Sequence, residues 1–382
     1  MTAESHFHWW LAAEPLGDDV AWALTRVSGT EVPTGPVGGG LLTGLGGIKQ
    51  LAESARPTGD GDPWSGPLTD PRREHELAVR LGEALLPTIL RTALRGADVD
   101  QPDTLTIAVR GWLARVPWDC LAIDRSDVRL VEAARVLGGL PATLHVGRAR
   151  LPDAEADGPA VRVVDPGPST SGEDDGGRGG MWKMIYPEGR PPTWNANLAG
   201  DEHIVPAGGY GLTCAEFGDL LTAGRPARLM YFGHAVPGAE HAPAAAGLVL
   251  TDDAGDLKVF TAFRWLKDTD EFPAPPRVAV IGCGSDDSAA AEQSGLPIAA
   301  INAGAALVTA TRWILPLDKG TGGGPTTALA VAVDEAHGGV DPVDALRAWQ
   351  IERLYRWREH GELQDTPLLW ASLVSYLAPA RP

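Results

Sequence analysis

The chain has 382 residues, which suffices for one large α/β domain or for two lobes. Its net charge of −18 and its pI near 4.9 disfavour binding to nucleic acid and to anionic membrane surfaces. Its three cysteines form no CxxC pair, so the sequence predicts neither a zinc site nor a disulfide framework. It has no run of about 18 apolar residues, and its acidic N-terminus is unlike a secretory signal. We therefore expect a cytoplasmic protein with free thiols, no metal and no cofactor.

The first hundred residues predict strands, a loop and a helix. The stretch "HFHWWLAA" has the composition of a strand, and a Gly/Pro-rich loop follows it. The stretch "DPRREHELAVRLGEALLPTILRTALRG" has helical spacing, with Asp70 as its cap and Gly96 as its stop. We interpret residues 1–100 as an N-terminal region packed on the domain that follows.

Apolar strands alternate with helices in the rest of the chain. The strands are "LTIAV", "AVRVV", "RLMYF", "RVAVI" and "ALVTAT", and "PTTALAVAVDEAHGG" and "DPVDALRAWQ" are among the helices. This order predicts an α/β fold with a mostly parallel central sheet and helices on both faces. In such sheets the chemistry lies just beyond the carboxyl ends of the strands.

Two side chains with catalytic chemistry follow two of these strands. Cys283 follows "RVAVIG", and His234 follows "RLMYFG". A lone cysteine is most often a buried core residue, but a base within reach makes it a candidate nucleophile. The histidine precedes the cysteine by 49 residues, close to the separation of about 50 found in caspases. We therefore expect the two to lie together at the active edge of the sheet.

Several motifs in order resemble one family. "RVPWDCL", "VRVVDPG", "MYFGHA", "VAVIGCGSDDS" and "INAGAALVTATRWILPLD" resemble successive motifs of the CHAT domain, a branch of the caspase-like cysteine peptidases close to separase. The resemblance covers about residues 104–379. It implies a caspase-like three-layer α/β sandwich, and it places the peptidase domain at residues 101–382.

The resemblance also implies a reaction. Cys283 would attack a peptide carbonyl, and His234 would polarise the thiol or protonate the leaving amine. The backbone N–H groups of Cys283 and Ala235 would form the oxyanion hole, although the family often has glycine where this chain has Ala235. The implied protein is a cysteine endopeptidase, a regulated bacterial effector in defence or stress. Its partners would be a protein substrate and an activating protein encoded elsewhere, with no nucleic acid and no membrane. A catalytically silent CHAT module for binding or signalling is the alternative.

Three further residues are candidates for substrate binding. Asp286 or Asp318 would supply the acidic group of a pocket for arginine or lysine, and Trp313 would supply a wall for it. Asp318 resembles the acidic position of separase-like chains, in which arginine is favoured. A helix cap for Asp286 and a core position for Trp313 stay open as alternatives. The loop at residues 172–180, "GEDDGGRGG", predicts a maturation cut after Arg178 or a merely flexible segment.

Overall fold

The structure is a computed structural model of the chain. The residues it describes are 7–28, 37–55, 62, 64–96, 98–125, 127–141, 144, 158–164, 166, 203–205, 211–223, 225–238, 242–282, 285, 295–316, 318 and 324–378. The chain divides into two compact units. The first comprises residues 1–139 and 347–375, and the second comprises residues 140–346 and 376–382. Within the described ranges, every helix is too short or too polar to span a bilayer.

The first unit is built on a five-stranded sheet of order β3-β2-β1-β4-β5. Its strands are β1 (Phe7–Leu16), β2 (Asp19–Ser28), β3 (Gly38–Leu42), β4 (Asp103–Val109) and β5 (Ala134–Gly138). The β1–β2 and β2–β3 pairs are antiparallel, whereas the β1–β4 and β4–β5 pairs are parallel. The strand predicted at "HFHWWLAA" is therefore confirmed, and it joins the N-terminal residues to the strand "LTIAV". The sheet that it enters is mixed.

Four helices of this unit are α1 (Gly46–Ser54), α2 (Pro71–Leu85), α3 (Thr88–Leu94) and α4 (Leu130–Ala133). The single helix predicted from Asp70 to Gly96 is wrong in its length, because the chain turns extended at Leu86 and starts again after Pro87. A residue before proline is disfavoured in the α region, and this explains the break. The predicted start is confirmed, since the Asp70 side chain accepts a hydrogen bond from Arg73 N at 2.9 Å.

The second unit contains the larger sheet, whose order is β14-β13-β12-β8-β6-β7. Its strands are β6 (Ala160–Val164), β7 (His203–Val205), β8 (Arg228–Phe232), β12 (Arg277–Ile281), β13 (Leu307–Thr311) and β14 (Leu373–Leu377), which ends in this unit. The pairs β7–β6, β6–β8, β8–β12 and β12–β13 are parallel. The carboxyl ends of these five strands therefore share one edge.

The three strands that follow β8 in the sequence form a smaller sheet of order β11-β10-β9. It contains β9 (Ala235–Val236), β10 (Gly247–Thr251) and β11 (Leu257–Thr261). β10 and β11 form an antiparallel hairpin, and Gly255 N donates to Asp252 O at 3.0 Å across its turn. Only Gly233 and His234 separate the end of β8 from the start of β9, so the chain passes from the large sheet to the small one at these two residues.

Helices cover the larger sheet, whose strands β6 and β13 are buried at every position. The helices of this unit are α5 (Cys214–Thr222), α6 (Ala262–Lys267), α7 (Leu296–Asn302), α8 (Pro325–Gly338) and the start of α9 (Pro342–His360), and α10 (Pro367–Trp370) belongs to the first unit. α8 packs on β8 and β12, and α7 packs on β13. Successive residues of a strand point to opposite faces of the sheet, and here all of them are buried, so both faces are covered. This confirms the predicted α/β class.

Candidate active site

The ends of β8 and β12 lie side by side in a fixed register. Phe232 is opposite Ile281, and Gly233 N donates to Ile281 O at 3.1 Å. The offset of this register is 49 residues, and the same offset separates His234 from Cys283. The two strands therefore end side by side, one residue before Gly233 and Gly282.

The residues just beyond the two strands are in close contact. A Cβ atom added to Gly282 would lie 2.6 Å from Gly233 O and 3.3 Å from Ala235 Cβ. Such a distance to a backbone oxygen leaves no room for a side chain. The glycine that precedes Cys283 therefore has a packing reason, because only a residue without Cβ lets the two chain segments approach this closely.

The backbone N–H of Ala235 is not used by the small sheet. Ala235 lies opposite Leu248, and Val249 N donates to His234 O at 3.0 Å. Hydrogen-bonded and non-hydrogen-bonded pairs alternate in antiparallel ladders, so Ala235 and Leu248 form a non-hydrogen-bonded pair. The Ala235 N–H consequently points away from β10. A Cβ on Gly282 would lie 3.5 Å from this nitrogen. The Ala235 N–H group is therefore close to Gly282, the residue that precedes Cys283 in the sequence.

The His234 side chain is exposed, whereas its backbone is held firmly. Its carbonyl oxygen accepts a hydrogen bond from Tyr231 Oη at 2.6 Å as well as the bond from Val249 N. Tyr231 is completely buried. An exposed imidazole on an anchored backbone is free to meet a substrate from solvent.

Two buried hydroxyl groups, those of Thr311 and Ser285, bond to the backbone at the end of β12. Thr311 Oγ1, at the end of β13, makes a short hydrogen bond to Gly282 O, and Thr311 N donates to Ser285 Oγ at 3.0 Å. Ser285 Oγ donates to Val280 O at 2.6 Å, and Ser285 N donates to Gly282 O at 3.2 Å. Sequence reasoning missed Ser285, Thr311 and Tyr231. Their only signal is that each lies at, or just beyond, the carboxyl end of a predicted strand.

Asp318 and Trp313 are both buried, at 6% and 3% exposure. The Asp318 carboxylate accepts hydrogen bonds from Thr326 N at 2.9 Å, Thr327 N at 2.8 Å and Thr327 Oγ1 at 2.7 Å. These donors belong to the first turn of α8, so Asp318 caps that helix. A pocket role for Asp318 and Trp313 stays a prediction beside these structural roles.

Some predicted site residues lie outside the described residues. They are Cys283, Asp286 and the loop at residues 172–180 with Arg178. The other two cysteines are both described and buried. Burial raises the pKa of Cys214, and burial together with the Glu74 carboxylate raises the pKa of Cys120 well above its usual value. Among the described side chains, no group of three or more His, Cys, Asp or Glu is arranged to hold a metal ion.

The CHAT domain family model matches residues 75–378, which is most of the chain. The chain belongs to the CHAT domain family. This match begins within α2, so it takes in part of the first unit as well as the residues of the candidate site.

Solved structures with some similarity include two crystal structures of the Saccharomyces cerevisiae separase–securin complex, at 3.0 and 2.6 Å resolution. They have 11% and 13% sequence identity to this chain and a TM-score of 0.39 in each case. Each comparison covers 73% of this chain and only 16% of the other. No curated protein sequence matches the chain.

Proposed function

We propose that this CHAT domain protein is a cysteine endopeptidase in which Cys283 is the nucleophile and His234 its partner. The observation that supports the proposal most strongly is the register of β8 and β12, whose offset of 49 residues equals the separation of His234 and Cys283 in the sequence. An exposed imidazole and an N–H of Ala235 that is unused by β10 complete the set of groups that acyl transfer needs.

The reaction proceeds in two halves. The Cys283 thiol gives its proton to His234, and its sulfur attacks the carbonyl carbon of the scissile peptide bond. The N–H groups of Ala235 and Cys283 stabilise the oxyanion, each donor being worth about 3–4 kcal/mol. His234 then protonates the leaving amine, and the C–N bond breaks. Water hydrolyses the resulting thioester, which releases the carboxylate product and restores the thiol.

We propose a preference for arginine or lysine before the cut. Asp318 already accepts three hydrogen bonds and is 6% exposed, so a substrate cation cannot pair with it without displacing the cap of α8. Asp286 is therefore the stronger candidate for the acidic group of the pocket. The biological role that the family resemblance implies is that of a regulated bacterial effector in the cytoplasm, with an activating protein partner.

The deciding experiment presents a pooled peptide library to the purified protein and identifies the products by mass spectrometry. We expect cuts that disappear in Cys283→Ala and persist in Cys214→Ala, because Cys214 is a buried thiol whose pKa burial raises. Cuts that survive in Cys283→Ala would contradict the proposal. The absence of cuts by every form, with and without candidate activators, would favour a silent binding module.

The same library tests the specificity. Asp286→Asn is expected to lower cleavage after arginine and lysine by at least about 10-fold relative to cleavage after leucine, because a charge-assisted bond is lost. Asp318→Asn is expected to lower the thermal stability without a matching change in this ratio, because it weakens the helix cap. Cuts mainly after acidic or apolar residues would overturn the basic preference.

A further inference from the structure

A buried hydroxyl pair holds the peptide unit that ends β12. The Gly282 carbonyl accepts a short hydrogen bond from Thr311 Oγ1 and a second from Ser285 N at 3.2 Å. Thr311 is completely buried, and Ser285 is 1% exposed. Both lone pairs of this carbonyl are therefore engaged by donors that solvent cannot replace.

The hydroxyl pair is itself anchored to two strands. Ser285 Oγ donates to Val280 O at 2.6 Å and accepts from Thr311 N at 3.0 Å. Its oxygen also lies 3.1 Å from Thr311 Oγ1. Because Val280 is on β12 and Thr311 is on β13, the direction of the Gly282 carbonyl is fixed by the sheet.

A carbonyl and the following N–H belong to one rigid peptide plane and point in opposite directions. The Gly282 carbonyl shares its plane with the N–H of Cys283. We propose that Thr311 and Ser285 are positioning residues, which aim the Cys283 N–H away from β13 and so form one half of the oxyanion hole. This inference rests on the proposed function and names the residues that prepare its site.

The arrangement also strengthens the N–H as a donor. A carbonyl that accepts hydrogen bonds polarises its peptide unit, and hydrogen bonds in such a chain reinforce one another. Thr311 and Ser285 achieve this with neutral hydroxyl groups, which add no charge of their own. An ordinary structural role would predict a loss of stability when either hydroxyl is removed, but no selective effect on reactions that pass through an oxyanion.

Two reagents that modify the same thiol separate these roles. With p-nitrophenyl acetate, the Cys283 thiolate attacks the ester carbonyl, a tetrahedral oxyanion forms, and p-nitrophenolate leaves as the acetyl thioester is made. With iodoacetamide, the thiolate displaces iodide at a saturated carbon, and no oxyanion forms. Peptide mapping by mass spectrometry reads both products at Cys283, so the test does not depend on peptidase turnover.

We expect Thr311→Val to lower the acylation rate by about 30-fold to 100-fold and to leave alkylation within about 3-fold. The loss is smaller than the roughly 10² to 10³ for a deleted oxyanion donor, because the N–H remains and only its aim and polarisation change. Ser285→Ala is expected to act in the same direction by about 10-fold, because the threonine hydroxyl remains. Thr311→Ser should restore acylation to within about 3-fold of the parent protein, since it keeps the hydroxyl.

The matched control is Thr309→Val. Thr309 is a buried threonine of the same strand whose hydroxyl bonds to His337 Nε2 at 2.8 Å. It should leave both rates unchanged. The inference is overturned if acylation and alkylation fall together, if neither changes, if Cys283 reacts with neither reagent, or if the unmodified protein shows the same rate ratio as glutathione. Failure of the peptidase proposal would appear separately, as an absence of peptide cleavage despite a selective loss of acylation.

Discussion

The surroundings of Cys120 and the described residues at the ends of β8, β12 and β13 differ in the polar groups that they contain. Cys120 is completely buried in the first unit, and its Sγ donates to Glu74 Oε1 at 2.9 Å. Burial and that carboxylate keep its pKa well above the usual value, so its thiolate is suppressed. The residues at and just beyond the ends of the three strands supply instead neutral hydroxyls, glycine backbone and the exposed His234. Under the proposed function, such neighbouring groups and not the thiol itself decide which cysteine can react.

The charges around Cys120 form a structural network within the first unit. Arg129 is 1% exposed, and its Nη2 lies 3.0 Å from Glu74 Oε1 and 2.8 Å from Asp127 Oδ1. Arg358 Nη2 pairs with Glu132 Oε2 at 2.8 Å. Buried charges of this kind are costly to expose singly, so the network holds its segments in one arrangement.

Removal of the His234 side chain should leave Cys283 as unreactive towards peptides as we expect Cys120 to be. We expect His234→Ala to lower peptide cleavage by about 10² to 10⁴, the usual contribution of a positioned general acid or base. Initial rates at saturating and at limiting substrate measure the change. His360→Ala, at an exposed position on α9, is the control. A loss below about 3-fold would separate His234 from the reaction.

Neutralisation of one member of the network tests the structural half of the comparison. Glu74→Gln removes the buried one of the two carboxylates that pair with Arg129 and leaves Asp127, so we expect the free energy of unfolding to fall by about 2–3 kcal/mol. Urea unfolding, followed by tryptophan fluorescence, measures the loss. Glu76→Gln, on the same helix in an exposed pair with Arg72, should change it by less than about 0.5 kcal/mol. Equal effects of the two substitutions would contradict the assigned role of Glu74.

A buried histidine in the second unit predicts how stability depends on pH. Burial, aided by Arg277 and Arg228, lowers the pKa of His337 to about 3. The folded state therefore requires the neutral imidazole, and this contribution is complete above about pH 6.5 and is lost as pH falls towards 3. Between pH 7.5 and 5 the protein should lose about 2 kcal/mol more than His337→Gln does.

Urea unfolding at the two pH values measures this difference. His360→Gln, which replaces an exposed histidine, is the control for the loss of a titrating side chain as such. Identical slopes for the parent protein and His337→Gln would show that His337 does not carry the effect.

Much of the second unit could be predicted from the sequence, because its strands are apolar throughout. The short apolar runs "RLMYF" and "RVAVI" are typical of strands buried on both faces of a sheet, and the glycines that follow them predict where the strands end. The position of His234 beyond its strand follows from that pattern, and the register of β8 and β12 agrees with it. The family match over residues 75–378 agrees with the motifs read in order.

Other features depend on contacts that a linear pattern does not contain. Thr311 and Ser285 are 26 residues apart, and the sequence around neither residue predicts the hydrogen bond between them. Glu74 and Arg129 are on separate segments, and Glu74 reads as one more surface residue of a polar helix. The sequence indicates Asp318 only as a candidate for the substrate pocket. Its hydrogen bonds with Thr326 and Thr327 depend on the path of the chain before α8, which the sequence pattern does not contain.

The most direct test of the account is whether residues 234 and 283 meet. Neighbouring strands lie about 4.8 Å apart, within the Cα separation of about 4.4–6.8 Å that a disulfide requires. We predict that His234→Cys, mildly oxidised, forms a disulfide with Cys283, detected by peptide mapping and by the loss of the mass of two hydrogen atoms. Val236→Cys, exposed two residues further along, is the control and should form little or none. A Cys283 that stays free in His234→Cys, or that pairs equally well in the control, would contradict the account.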